Sequence, residues 1–383
     1  MRVQSLRMEE LRPVAWVWFR RIAPPVFVFA LARLRLWRSA IFAGADPSDP
    51  HAWGRWDSGH YYSIATRGYE LFSCAQVPGY DPTQHCGNAA WLPGYPLLVR
   101  ALMGLHIGQD VAGTLIAAAF ALGTLIVIWN CFLEAELSVA ALATLGLAAF
   151  FPGHVYYHAA FPVSMCTFFL VSGLAAYTRR QFLLAGLAGA CAAFSYSSGA
   201  FVAAVFGLHL LVVERHVPFR QQVRQWILTS GVTALGFAAF LLLLQLTVGT
   251  WEAYFLVQAK YNYDPTWPWM AVFHHALEAR LSGSKFTNVQ TTFVAVMSLL
   301  LLAAAVRKRR EAADGLFALF LLVYWWVPLA LGGSLSLYRA ESMLIGAVPL
   351  ARKLPLPVLL VLLAIAFVIA SRMGVLFFKN ALV

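Results

Sequence analysis

The feature that most constrains this chain is its repetition of long apolar stretches, and residues 355–378 form one of them with a single charged side chain. A helix needs about 20 mainly apolar residues to cross a bilayer. The 383-residue chain is 61% hydrophobic and 12% charged, with a mean hydropathy of +0.70, unlike a soluble domain. The sequence therefore predicts an all-α polytopic membrane protein, with residues 1–383 forming one integral membrane domain.

The apolar stretches predict about eleven transmembrane helices. The clear spans are residues 111–132, 159–178, 226–248, 289–306, 315–331 and 355–378, and shorter or more polar ones are 22–42, 137–151 and 336–351. Residues 182–213 are interrupted at Ser195–Gly199. Two short helices there would return Arg180 and Glu214 to the same side of the membrane, which the bias of Lys and Arg toward cytoplasmic loops favours. The charged N-terminal segment predicts a cytoplasmic amphipathic lead-in rather than a cleavable signal peptide.

Positive charge sets the predicted orientation. The formal net charge is +11, and Lys and Arg cluster between apolar stretches at 179–180, 215–224, 307–310 and 352–353. Such clusters face the cytoplasm and anionic lipid, whereas the basic tracts interleaved with aromatic residues that would indicate nucleic acid are absent from the sequence. The prediction is a cytoplasmic N-terminus, an extracytoplasmic C-terminus, and extracytoplasmic segments at 46–110, 152–158, 249–288 and 332–339.

The first extracytoplasmic loop, residues 46–110, is the strongest candidate for a functional region, since long loops in compact proteins are usually functional or disordered. It is rich in aromatic residues, which argues against disorder. Asp57, His60, Tyr61 and Ile64 follow helical spacing, and Gly68 is placed to end the helix. Asp57 is then either the N-cap of a short surface helix or a functional carboxylate.

Two cysteines in the same loop, Cys74 and Cys86, lie twelve residues apart in a compartment that permits oxidation. They are a candidate disulfide, although spacing alone does not show that the sulfurs meet. The second long loop, residues 249–288, contains Asp264 in a Tyr-Asp-Pro sequence, which usually marks a turn.

The segment GRWDSGHYYSIATRGYE, residues 54–70, followed by AAWLPGYPLLVRAL, resembles the first luminal segment of the PIG-V family. These are the relatives of GPI mannosyltransferase 2 and their prokaryotic counterparts among the GT-C glycosyltransferases. The resemblance is carried by Arg55-Trp56-Asp57, Tyr61-Tyr62, Ile64-Ala65, Gly68-Tyr69 and Leu92–Pro96, then by Gln258 and Pro268 in the second long loop, and by Tyr338, Arg339 and Pro349 near the C-terminus.

The sequence also departs from that family. Phe161–Ser164 stands where the family commonly has Tyr-Ser-Glu, so a second acidic residue is missing there, and Ser197–Gly199 replaces an Arg-x-Asn-Gly element. Tyr338 and Arg339 occur in the reverse of the family's Arg-Tyr order. These changes leave the Asp57 motif intact, so the resemblance defines the base better than it defines the acceptor and the sugar.

The resemblance implies a GT-C-type fold in the cell (inner) membrane of a prokaryote. It implies transfer of a mannosyl or related residue from a polyprenyl-phosphate sugar donor to a lipid-linked or glycan acceptor on the extracytoplasmic face. Asp57 would be the general base, since a carboxylate near the attacking hydroxyl can take its proton. One base acting in a direct displacement inverts the anomeric centre, and Asp264 is a weaker candidate for a second carboxylate.

The remaining site candidates follow from charge and aromatic character. Arg339 is the first candidate for the donor phosphate, because an isolated charge at a helix mouth is costly unless paired, although an arginine snorkelling to the interface would look the same. Further phosphate candidates are Lys260, Lys285, His60 and His158, and the predicted substrate groove comprises Trp56, Tyr61, Tyr95, Gln258, Tyr338 and Trp267. Trp267 can equally anchor its loop at the interface.

No cofactor or tightly bound metal is predicted, because His274-His275 lacks the convergent spacing of a metal site. A divalent cation assisting the leaving phosphate stays open. Three other functions also stay open: a GT-C transferase for arabinose or glucose, a transporter or flippase for a lipid-linked sugar, and a catalytically silent scaffold. A transporter should show internal repeats, and none is evident in the sequence.

Overall fold

A computed structural model describes residues 2–261, 265–307, 312–331 and 336–382. Asp264 lies outside the described residues. The chain is mostly helical, and the α-helices in chain order are α1 Arg2–Phe42, α2 Ser58–Arg67, α3 Gly94–Met103, α4 Gln109–Cys131, α5 Val139–Ala149, α6 Val163–Thr178, α7 Phe182–Ser195, α8 Val202–Val212, α9 Phe219–Trp226, α10 Val232–Val248, α11 Ala253–Gln258, α12 Pro268–Glu278, α13 Phe286–Arg307, α14 Ala312–Ala330, α15 Leu337–Ala340 and α16 Leu356–Phe378. Two strands, β1 Leu71–Ser73 and β2 His85–Gly87, pair antiparallel.

Within the described ranges, five helices are long and apolar enough to cross a membrane: α4, the continuous helix Phe219–Val248 formed by α9 and α10, α13, α14 and α16. Four shorter apolar helices accompany them: Val139–Ala149, Val163–Thr178, Phe182–Ser195 and Ser197–Val212. These helices agree with the prediction of a helical membrane protein, while the number of spans stays a prediction.

The prediction of two short helices in residues 182–213 is confirmed. Tyr196 is extended (φ −154°, ψ 141°) and ends α7, after which a 3₁₀ turn leads into α8. The guanidinium of Arg180 donates two hydrogen bonds, of 2.9 and 3.1 Å, to the carboxylate of Glu214. Since these residues flank the segment, the two helices form a hairpin whose ends meet.

Basic residues from distant parts of the chain collect at one end of the bundle. A connected series of contacts joins Arg180 to Glu214, His209 to the Ala312 carbonyl, Lys353 to Asp314, Arg352 to the Phe132 carbonyl and Arg20 to the Ala135 carbonyl. Asp110, at the opposite end of α4, lies 3.6 Å from His51 of the first long loop. At 1.5 Å per residue α4 is about 35 Å long, so the basic end and the loop end are well separated.

Small residues let α7 and α10 approach closely. A Cβ on Gly189 would lie 2.1 Å from Thr233 Oγ1, one on Gly186 would lie 2.0 Å from the Leu228 carbonyl oxygen, and one on Gly236 would lie 2.1 Å from the Ala190 carbonyl oxygen. Such small-residue contacts are typical of membrane helix packing, where close van der Waals contact replaces the hydrophobic effect.

Residues 336–351 do not form the predicted α-helical span. The short helix α15 is followed by a 3₁₀ helix, Glu341–Lys353, whose residues from Glu341 to Ala351 are buried. Pro349 cannot donate a helical hydrogen bond, and Gly346 faces the Phe320 ring with no room for a Cβ. Because a 3₁₀ helix rises 2.0 Å per residue, these 13 residues reach about 26 Å.

The first long loop is ordered and is not purely helical. The chain is otherwise helical, in agreement with the all-α prediction, and the short hairpin of β1 and β2 is an addition within this loop. A disulfide joins Cys74 to Cys86 beside the hairpin, as the candidate pairing predicts. Asn88 fastens the hairpin to α2, since its side-chain amide donates to the Gly68 carbonyl and accepts from the Glu70 amide. The loop therefore forms a folded cap on one end of the bundle.

Candidate functional site

Helix α2 begins and ends where the sequence predicts, directly after Asp57 and directly before Gly68, whose φ of +91° suits glycine. The carboxylate of Asp57 makes no capping hydrogen bond to this helix. It instead accepts a hydrogen bond from the guanidinium of Arg339 in α15. Asp57 therefore occupies the N-cap position of α2, as one interpretation predicts, but its carboxylate is directed to Arg339 and does not cap the helix.

The backbone around Asp57 is fastened to the segment that precedes α6. The Ala160 amide donates to the Trp53 carbonyl at 3.0 Å, and Ser58 Oγ donates to the Ala160 carbonyl at 2.9 Å. Ser58 Oγ also accepts from the Arg55 amide at 3.1 Å. These bonds fix the turn from which the Asp57 side chain projects.

Trp56 adopts a left-handed backbone conformation with φ of +44°, which is unusual for a bulky residue. Its ring packs edge-on against Phe377, with centroids 5.5 Å apart. Ser336, which precedes α15, is also left-handed at φ +57°. Trp56 directly precedes Asp57, and Ser336 lies three residues before Arg339, so left-handed residues flank both charged partners.

The Asp57–Arg339 ion pair joins residues 282 positions apart in the sequence. The two side chains are 24% and 18% exposed, so the pair is largely removed from water but still accessible from one side. The Arg339 guanidinium also lies 5.7 Å from the centre of the Phe161 ring. The site thus combines the first long loop with the C-terminal part of the chain.

A cavity of about 280 Å³ opens on this ion pair. The predicted residues that line it are Trp56, Asp57, Tyr61, Gln258, Tyr338 and Arg339. Residues of the lining that sequence reasoning did not assign to the site are Ala90, Trp91, Leu92, Tyr156, Tyr196, Ser197, Tyr261, Ser336 and Leu382. Trp91-Leu92 belongs to a motif already noted, whereas Tyr156 and Tyr196 carry no local signal that separates them from packing residues.

Two predicted cations, His60 and Lys260, lie beside the cavity rather than in its lining. The His60 ring stacks on Trp91 with centroids 3.6 Å apart. Burial lowers the pKa of His60; Asp57 partly opposes this shift and Lys260 adds to it. The Lys260 ammonium lies 5.1 Å from the Tyr261 ring centre, and burial lowers its pKa. Both groups are near enough to influence charge at the cavity edge.

Two other predicted residues, Tyr95 and His158, are buried apart from the cavity lining. Tyr95 is fully buried and packs edge-on against Tyr61. His158 is buried against His154 and Phe29, with ring centroids 5.0 and 5.2 Å away. These side chains pack inside the bundle because their segments turn inward.

From the described part of the second long loop, Gln258 and Tyr261 line the cavity. Trp267 is 66% exposed and stacks on Trp269, with centroids 4.8 Å apart. Lys285 pairs with the carboxylate of Glu278. Neither side chain is directed at the Asp57–Arg339 pair.

Among the residues that the structure describes, no group of three or more His, Cys, Asp or Glu side chains could hold a metal ion. The charged groups that line the cavity are the carboxylate of Asp57 and the guanidinium of Arg339, surrounded mainly by tyrosine and tryptophan. This arrangement can accept a proton, bind an anion and stack on a sugar ring.

No protein-family model matches the chain, and no curated protein sequence matches it. The resemblance to the PIG-V family therefore rests on the motif residues themselves.

Proposed function

We propose that the chain is a membrane glycosyltransferase of the GT-C type. It transfers a mannosyl or related residue from a polyprenyl-phosphate sugar donor to a lipid-linked or glycan acceptor. The observation that carries the proposal is the ion pair between Asp57 and Arg339 in a cavity walled by aromatic side chains. A base, a phosphate ligand and a sugar-stacking surface are what such a transfer requires.

Arg339 neutralises Asp57 while the donor is absent. A lipid phosphodiester entering the cavity competes for the guanidinium, because arginine forms strong charge-assisted hydrogen bonds with phosphate oxygens. Release of Arg339 leaves the Asp57 carboxylate available to the acceptor hydroxyl. Donor binding would then prepare the base as well as place the sugar.

In the transfer step the acceptor oxygen bonds to the anomeric carbon and the bond from that carbon to the phosphate oxygen breaks. Asp57 takes the hydroxyl proton, and polyprenyl phosphate leaves with its charge facing Arg339. Among the described residues that line the cavity, Asp57 is the sole carboxylate. A single carboxylate supports inversion of the anomeric configuration.

The orientation follows from the two ends of the bundle. Basic residues collect at the end opposite the first long loop, and positive charge marks the cytoplasmic side. We therefore propose that the N-terminus lies inside and that the cavity opens on the extracytoplasmic face. A prokaryotic inner membrane crossed by about eleven spans is part of the same proposal. The acceptor and the nucleophilic hydroxyl then reach the cavity from outside the cell membrane.

The proposal is tested with detergent-purified protein, labelled polyprenyl-phosphate mannose and a lipid and glycan extract of the host. Wild type should transfer label, and Asp57→Asn should lose about 10²- to 10⁴-fold in rate through loss of the base. Asp81→Asn is the matched control, because Asp81 lies in the same loop and is exposed, and its carboxylate accepts hydrogen bonds from Thr83 outside the cavity lining. Equal rates in wild type and Asp57→Asn would refute the assigned base.

The same assay separates the competing functions. Polyprenyl-phosphate glucose and arabinose, offered in parallel, decide the sugar. Movement of the labelled lipid across proteoliposomes without transfer to any acceptor would indicate a transporter and refute the proposed enzyme.

A further inference from the structure

Three arginines line a groove on the outside of the bundle, between α1 and α16. Arg35 and Arg38 belong to α1, and Arg372 belongs to α16. The groove encloses about 570 Å³, and its other lining residues are Ser39, Ile41, Phe42, Phe367, Val368, Ser371 and Val375. It shares none of these residues with the cavity at Asp57.

The positive charge of the groove lacks a carboxylate partner in the part of the chain that the structure describes. Arg35 Nε donates to Ser371 Oγ at 2.5 Å, whereas Arg372 Nε is buried without a hydrogen-bond partner among the described residues. Arg38 is exposed and lies one helical turn after Arg35, on the same face of α1. Arginines at the level of membrane helices are costly unless an anion compensates them, so a negatively charged ligand would stabilise this groove.

The arginines lie near the end of the bundle that carries the candidate site. Contacts of Trp53 with Phe378 and of Trp56 with Phe377 place the end of α16 beside the first long loop. At 1.5 Å per residue, Arg38 is about 6 Å from the end of α1 and Arg372 about 9 Å from the end of α16. In the proposed topology these helix ends lie at the extracytoplasmic surface, which puts the arginines near the phosphate layer that flanks the hydrocarbon core.

An apolar groove of about 600 Å³ continues from this position between α13 and α16. Val368 lines both grooves. The second groove extends along α16 to Ala364 and along α13 from Phe286 to Val296, and apart from Thr292 its lining side chains are apolar. A basic groove that opens into a long apolar one matches a lipid with an anionic headgroup and an acyl chain.

We propose that these two grooves bind an anionic glycerophospholipid. Its phosphate lies against Arg35, Arg38 and Arg372, and one acyl chain lies in the groove between α13 and α16. Arginine forms charge-assisted hydrogen bonds with phosphate oxygens, and this chemistry suits the arginine cluster to such a headgroup. This site does not depend on the proposed glycosyl transfer and would exist in a protein with any of the alternative functions.

The test measures lipid retained by the purified full chain, by native mass spectrometry after exchange into mixed micelles of phosphatidylglycerol and phosphatidylcholine. Wild type should retain phosphatidylglycerol preferentially. The triple variant Arg35→Gln, Arg38→Gln, Arg372→Gln should bind it roughly 100-fold more weakly, because each arginine near the headgroup layer contributes about a five-fold factor.

The matched control removes the same charge elsewhere, through Arg67→Gln, Arg100→Gln and Arg220→Gln, three exposed arginines outside both grooves. This control should retain the lipid. Unchanged retention in the first triple variant, or equal loss in both, would overturn the proposal.

Val368→Trp keeps every charge and fills the junction of the two grooves, so it should reduce retention of a two-chain lipid even if the triple variant fails to fold. Unchanged retention in Val368→Trp would overturn the placement of the acyl chain. Inorganic phosphate is then added to the loaded wild type. Displacement of the lipid at millimolar phosphate would show a simple anion site and overturn the assignment to a lipid.

Discussion

The ion pair between Asp57 and Arg339 can be tested by stability, independently of any enzymatic assay. A double-mutant cycle compares wild type, Asp57→Asn, Arg339→Gln and the double variant. If the two side chains interact as the structure places them, each single change leaves a charge in a mostly desolvated position without its partner. The double variant leaves two neutral amides, which can hydrogen bond to each other.

The magnitude follows from the exposure of the pair. Breaking a fully buried ion pair by removing one partner costs about 3–5 kcal/mol, whereas exposed pairs contribute about 0–1 kcal/mol. The side chains here are 24% and 18% exposed, so we expect each single variant to lose about 2–3 kcal/mol. The double variant should lose about the same amount as either single variant, which gives a coupling energy with a magnitude of about 2–3 kcal/mol.

The measurement is equilibrium unfolding in mixed detergent–SDS micelles, followed by tryptophan fluorescence. Helix capping gives a different expectation, because Asn and Asp are about equally good N-caps. In that case Asp57→Asn would change stability by only a few tenths of a kcal/mol and would not alter the effect of Arg339→Gln. Additive single effects, within about 0.5 kcal/mol, would refute the pairing and with it the basis of the proposed site.

Three further predictions concern packing, the loop and pH. Gly236→Ala places a methyl group 2.1 Å from the Ala190 carbonyl oxygen and should destabilise the protein by about 1–3 kcal/mol. Gly231→Ala lies in the same continuous helix, with the nearest neighbour of its Cβ at 3.9 Å, and should be neutral or stabilising. Melting curves in detergent compare the two variants. Replacing Cys74 and Cys86 by Ser removes a cross-link over 12 residues and should loosen the loop by about 3 kcal/mol, measured as faster native-state proteolysis there. The pKa of His60 is lowered in the folded protein, so below pH 6.5 the unfolded chain binds more protons than the folded one. The free energy of unfolding should therefore fall as pH decreases from 6.5. His60→Gln should remove this part of the pH dependence of unfolding.

Local sequence patterns predict a helix or a break correctly where the deciding residues lie within the element itself. The helical spacing after Asp57 and the position of Gly68 predict the two ends of α2. The polar break before Gly199, weighed together with the flanking charges, indicated the hairpin of α7 and α8. In each case the residues that decide the structure are close together in the sequence.

Contacts between segments that are distant in the sequence could not be predicted from local patterns. Nothing near Asp57 indicates that Arg339 is its partner, since the pairing depends on how α15 packs against the first long loop. Tyr156 lies among residues that read as the turn between two spans, and only the fold directs it to the cavity. For His158 the sequence predicts a position in an extracytoplasmic loop, open to a phosphate, whereas the structure buries its side chain.

The break after α7 links the fold to the specificity of the proposed enzyme. The hairpin needs Gly199, because a Cβ there would lie 2.2 Å from the Ala192 carbonyl oxygen, and the extended backbone at Tyr196 brings Tyr196 and Ser197 into the cavity lining. Ser197 begins the tripeptide that stands where the resembling family has Arg-x-Asn-Gly. Asp57 and Arg339 lie on other segments of the same cavity, so this difference alters the wall that faces a substrate and leaves the base and the phosphate ligand in place. We therefore expect substitutions at Ser197 to change which acceptor or sugar is used, measured as a change in the ratio of kcat/KM between substrates, while the loss caused by Asp57→Asn applies to every substrate alike.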